Sequence, residues 1–165
     1  MVKSNVAEWV QRLVELAIVK GILSELSTLS GKSFDASNFN SRLRIQKSIY
    51  LLQALGNRPV REYWFTNYFR GPYCPALAKD YYGISSKEIS PAAITLGHHE
   101  MAIMKSLLAK GDLVLETVCT LHSVYRSRAD MSKEEAFKTV RTLKPFLSEE
   151  NCEDSWIFLR VAGLV

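Results

Sequence analysis

Between residues 42 and 83 the chain reads RLRIQKSIYLLQALGNRPVREYWFTNYFRGPYCPALAKDYYG, and no other stretch restricts its folding as much. Ile45, Ile49 and Leu52 recur at helical spacing over about 41–55, and Gly56 ends that run. Gly56-Asn57-Arg58-Pro59 is turn chemistry. Residues 63–69 are aromatic enough for a strand, which we expect to be half of a short hairpin with residues near Val60. Gly71-Pro72 is expected to stop that strand. Pro75 then opens a helix reaching Gly83, because the first helical position has no intrahelical use for an N–H. Cys74 becomes its N-cap.

The rest is helical in pattern. Asn5 followed by Glu8 resembles a capping box, and Val6, Val10, Leu13, Val14, Ala17, Ile18, Ile22 and Leu26 continue at helical spacing as far as Gly31. Gly21 is the point where this helix can kink or divide. Residues 33–38 are rich in capping and turn types and read as a loop. Downstream, residues 98–110 closed by Gly111 form one helix, and Asp112 caps the next, to about Arg126. Ser132 with Glu135 is a full capping box ahead of a helix to Leu143, where Lys144-Pro145 breaks it. Ser148 with Glu149 and Glu150 starts the last helix. The fold class is therefore mainly α: one domain over 1–165 of six or seven helices, with one short β-hairpin after the second. It divides into an N-terminal helix and loop (1–40), the helix–strand–turn–helix unit (41–83) and C-terminal helices (98–165).

Composition narrows the function. The chain has no run of 18 apolar residues and does not open on the charged, apolar and small-residue order of a secretory signal, so a soluble, cytoplasmic protein without membrane contact is expected. Cys74, Cys119 and Cys152 are odd in number and widely spaced, which suits reduced thiols. The formal charge of +4 is unevenly placed. Residues 1–41 balance at four of each sign, and 91–165 hold nine basic and ten acidic side chains. Residues 42–90 hold eight basic against three acidic, so the excess belongs to the central segment alone.

Arginines there alternate with rings: Arg58, Arg61 and Arg70 stand beside Tyr63, Trp64, Phe65, Tyr68 and Phe69. Such a set anchors on an acidic protein or stacks on bases. In the bland alternative, one ring face packs on the core and the arginines keep the molecule soluble. Arg44 and Lys47, three apart, are expected on a solvated helix face away from Ile45, Ile49 and Leu52. Gln46, mid-helix among apolar neighbours, reads as a buried side chain tying strand to helix. Gly71, Pro72 and Pro75 make a turn that is rigid without a ligand. Cys74 at a helix start lacks a base adjacent in sequence, and His98-His99-Glu100 lacks metal-ligand spacing, so no catalytic residue, metal or cofactor is assigned.

The RLRIQKSIYLL helix, the aromatic strand and Gly71-Pro72-Tyr73-Cys74-Pro75-Ala76-Leu77 together resemble the Panacea domain of SocA-like antitoxins and their uncharacterised archaeal and bacterial relatives. In that family an LQKLxY helix precedes a strand and a GPxxP turn. Ile45-Gln46-Lys47-Ser48-Ile49-Tyr50 matches the first motif with Ser48 where Leu is usual, and Gly71, Pro72 and Pro75 match the second. The stretch from Ser132 to Leu164 extends the likeness over about 40–165. The resemblance implies a mostly helical domain that neutralises a partner protein by contact or delivers it to a protease.

The expected function is thus a non-enzymatic, antitoxin-like interaction module. Arg61, Trp64, Tyr68, Arg70 and Tyr73 would face an acidic protein partner, which in a toxin–antitoxin setting is the toxin. The alternative is a winged-helix-like regulator that places Arg42, Arg44, Lys47 and Arg58 on nucleic-acid phosphates. The oligomeric state is left open.

Overall fold

Helix α5 (Asp112–Tyr125) is the element on which most of the others assemble, with Leu115, Val118, Cys119 and Leu121 fully buried. In this computed structural model, which describes residues 2–57 and 62–165, α5 packs against α2 (Phe39–Ala54), α4 (His98–Lys110), α6 (Lys133–Leu143) and α7 (Glu149–Val161). It also touches both strands of a hairpin, β1 (Thr66–Tyr68) and β2 (Gly71–Tyr73). Helix α1 (Val2–Ser30) closes the far side against α4 and α3 (Pro75–Ser86). Among the described residues, seven helices and one antiparallel hairpin after the second helix make the fold mainly α, as the periodicity predicts. Among the described residues no helix is long and apolar enough to cross a membrane.

Helix starts follow their capping residues closely. Ser132 and Glu135 close a reciprocal box at the head of α6. Ser148 does the same for α7, though its partner at the third helical position is Asn151. Asn38 accepts from the Ser41 amide and starts α2 two residues ahead of the expected point. Asp112 is not a cap: Gly111 takes that place with φ 101°, and the Asp112 carboxylate turns outward to Arg44.

Two local expectations are corrected. Gly71-Pro72 does not stop a strand but forms one, with Thr66 opposite Tyr73, Asn67 opposite Pro72 and Tyr68 opposite Gly71. The reversal occurs at Phe69-Arg70, and Gly71, at φ 83°, adopts the left-handed backbone that follows it. The stretch near Val60, expected to supply the partner strand, lies outside the described residues. Gly21 does not divide α1, which runs unbroken from Val2 to Ser30. It lets the 87–97 segment lie on the helix: the Ala92 amide donates to the Ala17 carbonyl at 2.9 Å, and a Cβ at Gly21 would stand 2.4 Å from the Ala92 carbonyl oxygen. Helix α3 likewise runs past Gly83 to Ser86.

Candidate partner-binding cleft

On α2, Phe39, Arg42, Leu43, Gln46 and Lys47 fall three and four apart, which puts them on one helix face. The hairpin and α3 cover that face without filling it. Between them lies a cleft of about 280 Å³, to which the hairpin adds Tyr68, Phe69, Arg70, Gly71 and Tyr73, and α3 adds Tyr81 and Tyr82. Among the described residues, six aromatic side chains line it together with two arginines and a lysine, and no carboxylate does.

Lys47 overturns its expected solvated position. It is 3% exposed, because the hairpin lies over the part of α2 that the periodicity leaves to water. Its Nζ donates to the Pro72 carbonyl at 2.7 Å. Burial pulls its pKa down to about 8, against the partial support of Cys119 and Glu116. Enclosed in a cleft of about 280 Å³, the side chain is out of reach of the phosphates of a duplex, which is too bulky to enter that space. Next to it, Gln46 performs the expected tie, exchanging two hydrogen bonds with the backbone of Cys74. The Cys74 thiol, 1% exposed, makes no cap hydrogen bond.

A buried polar group supports the hairpin from below. Glu116 of α5, 4% exposed, accepts from the equally buried Lys144 Nζ, which also reaches the Phe69 carbonyl at 3.3 Å. The outer oxygen of Glu116 lies 3.4 Å from Arg70. Arg70 itself remains 61% exposed and stands 4.9 Å above the Phe39 ring, so one guanidinium joins the buried carboxylate, the α2 aromatic and solvent. Tyr68 packs near Phe69 and Tyr73, at centroid separations of 6.0 and 5.8 Å.

Among the partner-binding residues expected from sequence, Tyr68, Arg70 and Tyr73 share this cleft. Trp64 does not: it is 82% exposed and borders a second groove with Tyr50, Phe65, His122 and Arg126. Arg61 and Arg58 lie outside the described residues. Arg42 lines the cleft and donates to the Ala36 carbonyl at 2.9 Å. Arg44 is held elsewhere, in a two-pronged pair with Asp112 at 2.8 and 3.1 Å and a bond to the Ser33 carbonyl. Tyr63, one of the rings beside the arginines, takes the core-packed alternative: it is buried, with its hydroxyl donating to Asp80, which also pairs with Arg12 of α1. The α2 spacing of Phe39 with Arg42 and Leu43 was the available sign of the cleft's floor. Tyr81, Tyr82, Glu116 and Lys144 carried none, because only tertiary packing brings them to the hairpin.

The second groove contains one perturbed base. His122 Nδ1 lies 2.7 Å from the Tyr50 hydroxyl, and burial together with Arg126 lowers its pKa to about 4. At neutral pH the ring is uncharged. Among the described residues no three His, Cys, Asp or Glu side chains converge as a metal set. Comparison of the chain with family models, with curated proteins and with solved structures finds no match.

Proposed function

We propose that the chain is a protein-interaction module, antitoxin-like in the sense that its resemblance implies, which binds an acidic partner protein through the cleft between α2, the hairpin and α3. The observation that carries this reading is the lining of the cleft: rings and cations without a carboxylate, on a support locked by Gln46 and Glu116. Aromatic and arginine side chains dominate binding energy at protein interfaces, and a uniformly positive lining selects acidic surfaces and speeds encounter. Preorganisation adds to this, because a hairpin held by buried hydrogen bonds loses little freedom on docking.

The test is affinity capture from the source cell, followed by reconstitution with the purified partner. Arg70→Glu and Tyr73→Ala should each lose the partner while remaining folded by circular dichroism. Undiminished recovery with both changes would overturn the proposal. The nucleic-acid reading retains Arg42 of its described phosphate contacts, since Lys47 is enclosed and Arg44 is bound to Asp112. Phosphate contacts give a salt-dependent affinity, so an anisotropy titration on duplex DNA at two ionic strengths separates the readings.

A further inference from the structure

Resting on the interaction-module reading, we infer that the cleft is a seat for a partner's C-terminal carboxylate, with the apolar side chain of that last residue held between the aromatic walls. Lys47 carries the argument. It is buried, it lines the cleft, and the Pro72 carbonyl is its one hydrogen-bond acceptor among the described residues. An ammonium has three N–H groups, so donor capacity is left over. The carboxylate beneath it, Glu116, is already held by Lys144 and Arg70. A buried cation with unused donors calls for an anion, and Arg42 and Arg70 at the same cleft add to that demand.

The walls and the size define the rest of the ligand. Phe39, Tyr68 and Tyr73 offer ring surface beside those cations, so the anion should arrive on an apolar stem. At about 280 Å³ the space falls below the roughly 300–1,000 Å³ of pockets for drug-sized ligands, and suits one or two residues. A chain terminus is the shortest peptide unit that brings a carboxylate and an apolar side chain on one carbon. Capture of a C-terminal carboxylate is an established mode of peptide recognition.

The experiment titrates the full chain, by heteronuclear NMR, with two acetylated hexapeptides of sequence Gly-Ser-Gly-Ser-Leu-Phe: one ends in a free carboxylate, the other in an amide. A third peptide, amidated, carries Asp internally. The free acid should bind at least about tenfold more tightly than its amide, the margin expected of a charge-assisted hydrogen bond. Shifts should centre on 39–47 and 66–73. Lys47→Met should abolish the difference between acid and amide, and Arg42→Gln, which leaves the buried group intact, should narrow it. Equal affinity of acid and amide, preference for the internal Asp, or no binding overturns the seat. If acid and amide bind alike while the intact partner is still captured, the seat fails and the module reading stands. Acid-selective binding with no partner captured from the source cell supports the seat and sinks the module reading.

Discussion

Gln46 and Cys74 hold each other by two hydrogen bonds of 2.9 Å: the Gln46 amide nitrogen donates to the Cys74 carbonyl, and the Cys74 backbone N–H donates to Gln46 Oε1. The side-chain amide does what a neighbouring strand would do, at the point where β2 passes into α3. It thereby fixes the hairpin on α2 and sets the depth of the cleft.

Replacing that amide by an apolar side chain leaves the buried Cys74 N–H without a partner and takes one of two donors from its carbonyl, which keeps the Ala78 amide at 3.1 Å. Gln46→Leu should therefore destabilise the protein by about 3 kcal/mol, lowering the midpoint of denaturant unfolding with no change in slope. An unchanged midpoint would contradict the tie.

Gly71 approaches α5 so closely that an added Cβ would stand 2.2 Å from Thr120 Oγ1, and its φ of 83° disfavours any L side chain. Gly71→Ala should cost at least about 2 kcal/mol in thermal or denaturant unfolding. Gly83 is the control. It sits within α3 with open space around its missing Cβ, so Gly83→Ala should leave stability unchanged or raise it by up to about 1 kcal/mol.

His122 makes stability depend on acid. Its folded pKa of about 4 lies below the 6.5 of the unfolded ring, so the unfolded chain binds the proton first as pH falls. The contribution is fully present above pH 6.5 and is lost as pH drops toward 4, to a limit of about 3 kcal/mol. His122→Gln keeps a partner for the Tyr50 hydroxyl and cannot protonate. Unfolding measured from pH 7 to 4.5 should fall less steeply in this variant, and parallel curves would refute the assignment.

Lys47 acts at the other end of the scale. Its folded pKa of about 8 is depressed from 10.5, so above pH 8 the unfolded chain holds a proton that the folded chain has released, and this group stabilises as pH rises. The buried Cys119 thiol, pushed up to about 12, works against it above pH 9. The difference between wild type and Lys47→Met isolates the lysine: from pH 7.5 to 9 the wild type should gain about 1 kcal/mol on the variant. A constant difference would mean that Lys47 is not buried as an ionisable amine.

Legibility in the sequence tracks the range of the interaction responsible. The Ser132 and Ser148 caps, the Gly111 stop and the Pro75 start act within one helical turn, and the elements begin or end where those residues stand. Gln46 was legible because a polar side chain on an apolar stripe demands a buried partner. Lys47 was not, because its helix face is covered by a hairpin 20 residues on, and periodicity records one buried stripe but not a second cover. Gly71-Pro72 misled for a related reason: both residues interrupt strands in isolation, yet here Gly71 meets Thr120 and the Pro72 carbonyl meets Lys47. The rings divided the same way, with Tyr63 drawn inward by Asp80 and Trp64 turned to a separate groove.

Hydrogen exchange of the protein with and without its purified partner reports where that partner docks. Docking in the cleft predicts new protection at 39–47, 66–73 and around Tyr81, with α6 and α7 unchanged. Protection confined to α6 and α7, or to the groove beside Trp64 and His122, would contradict it.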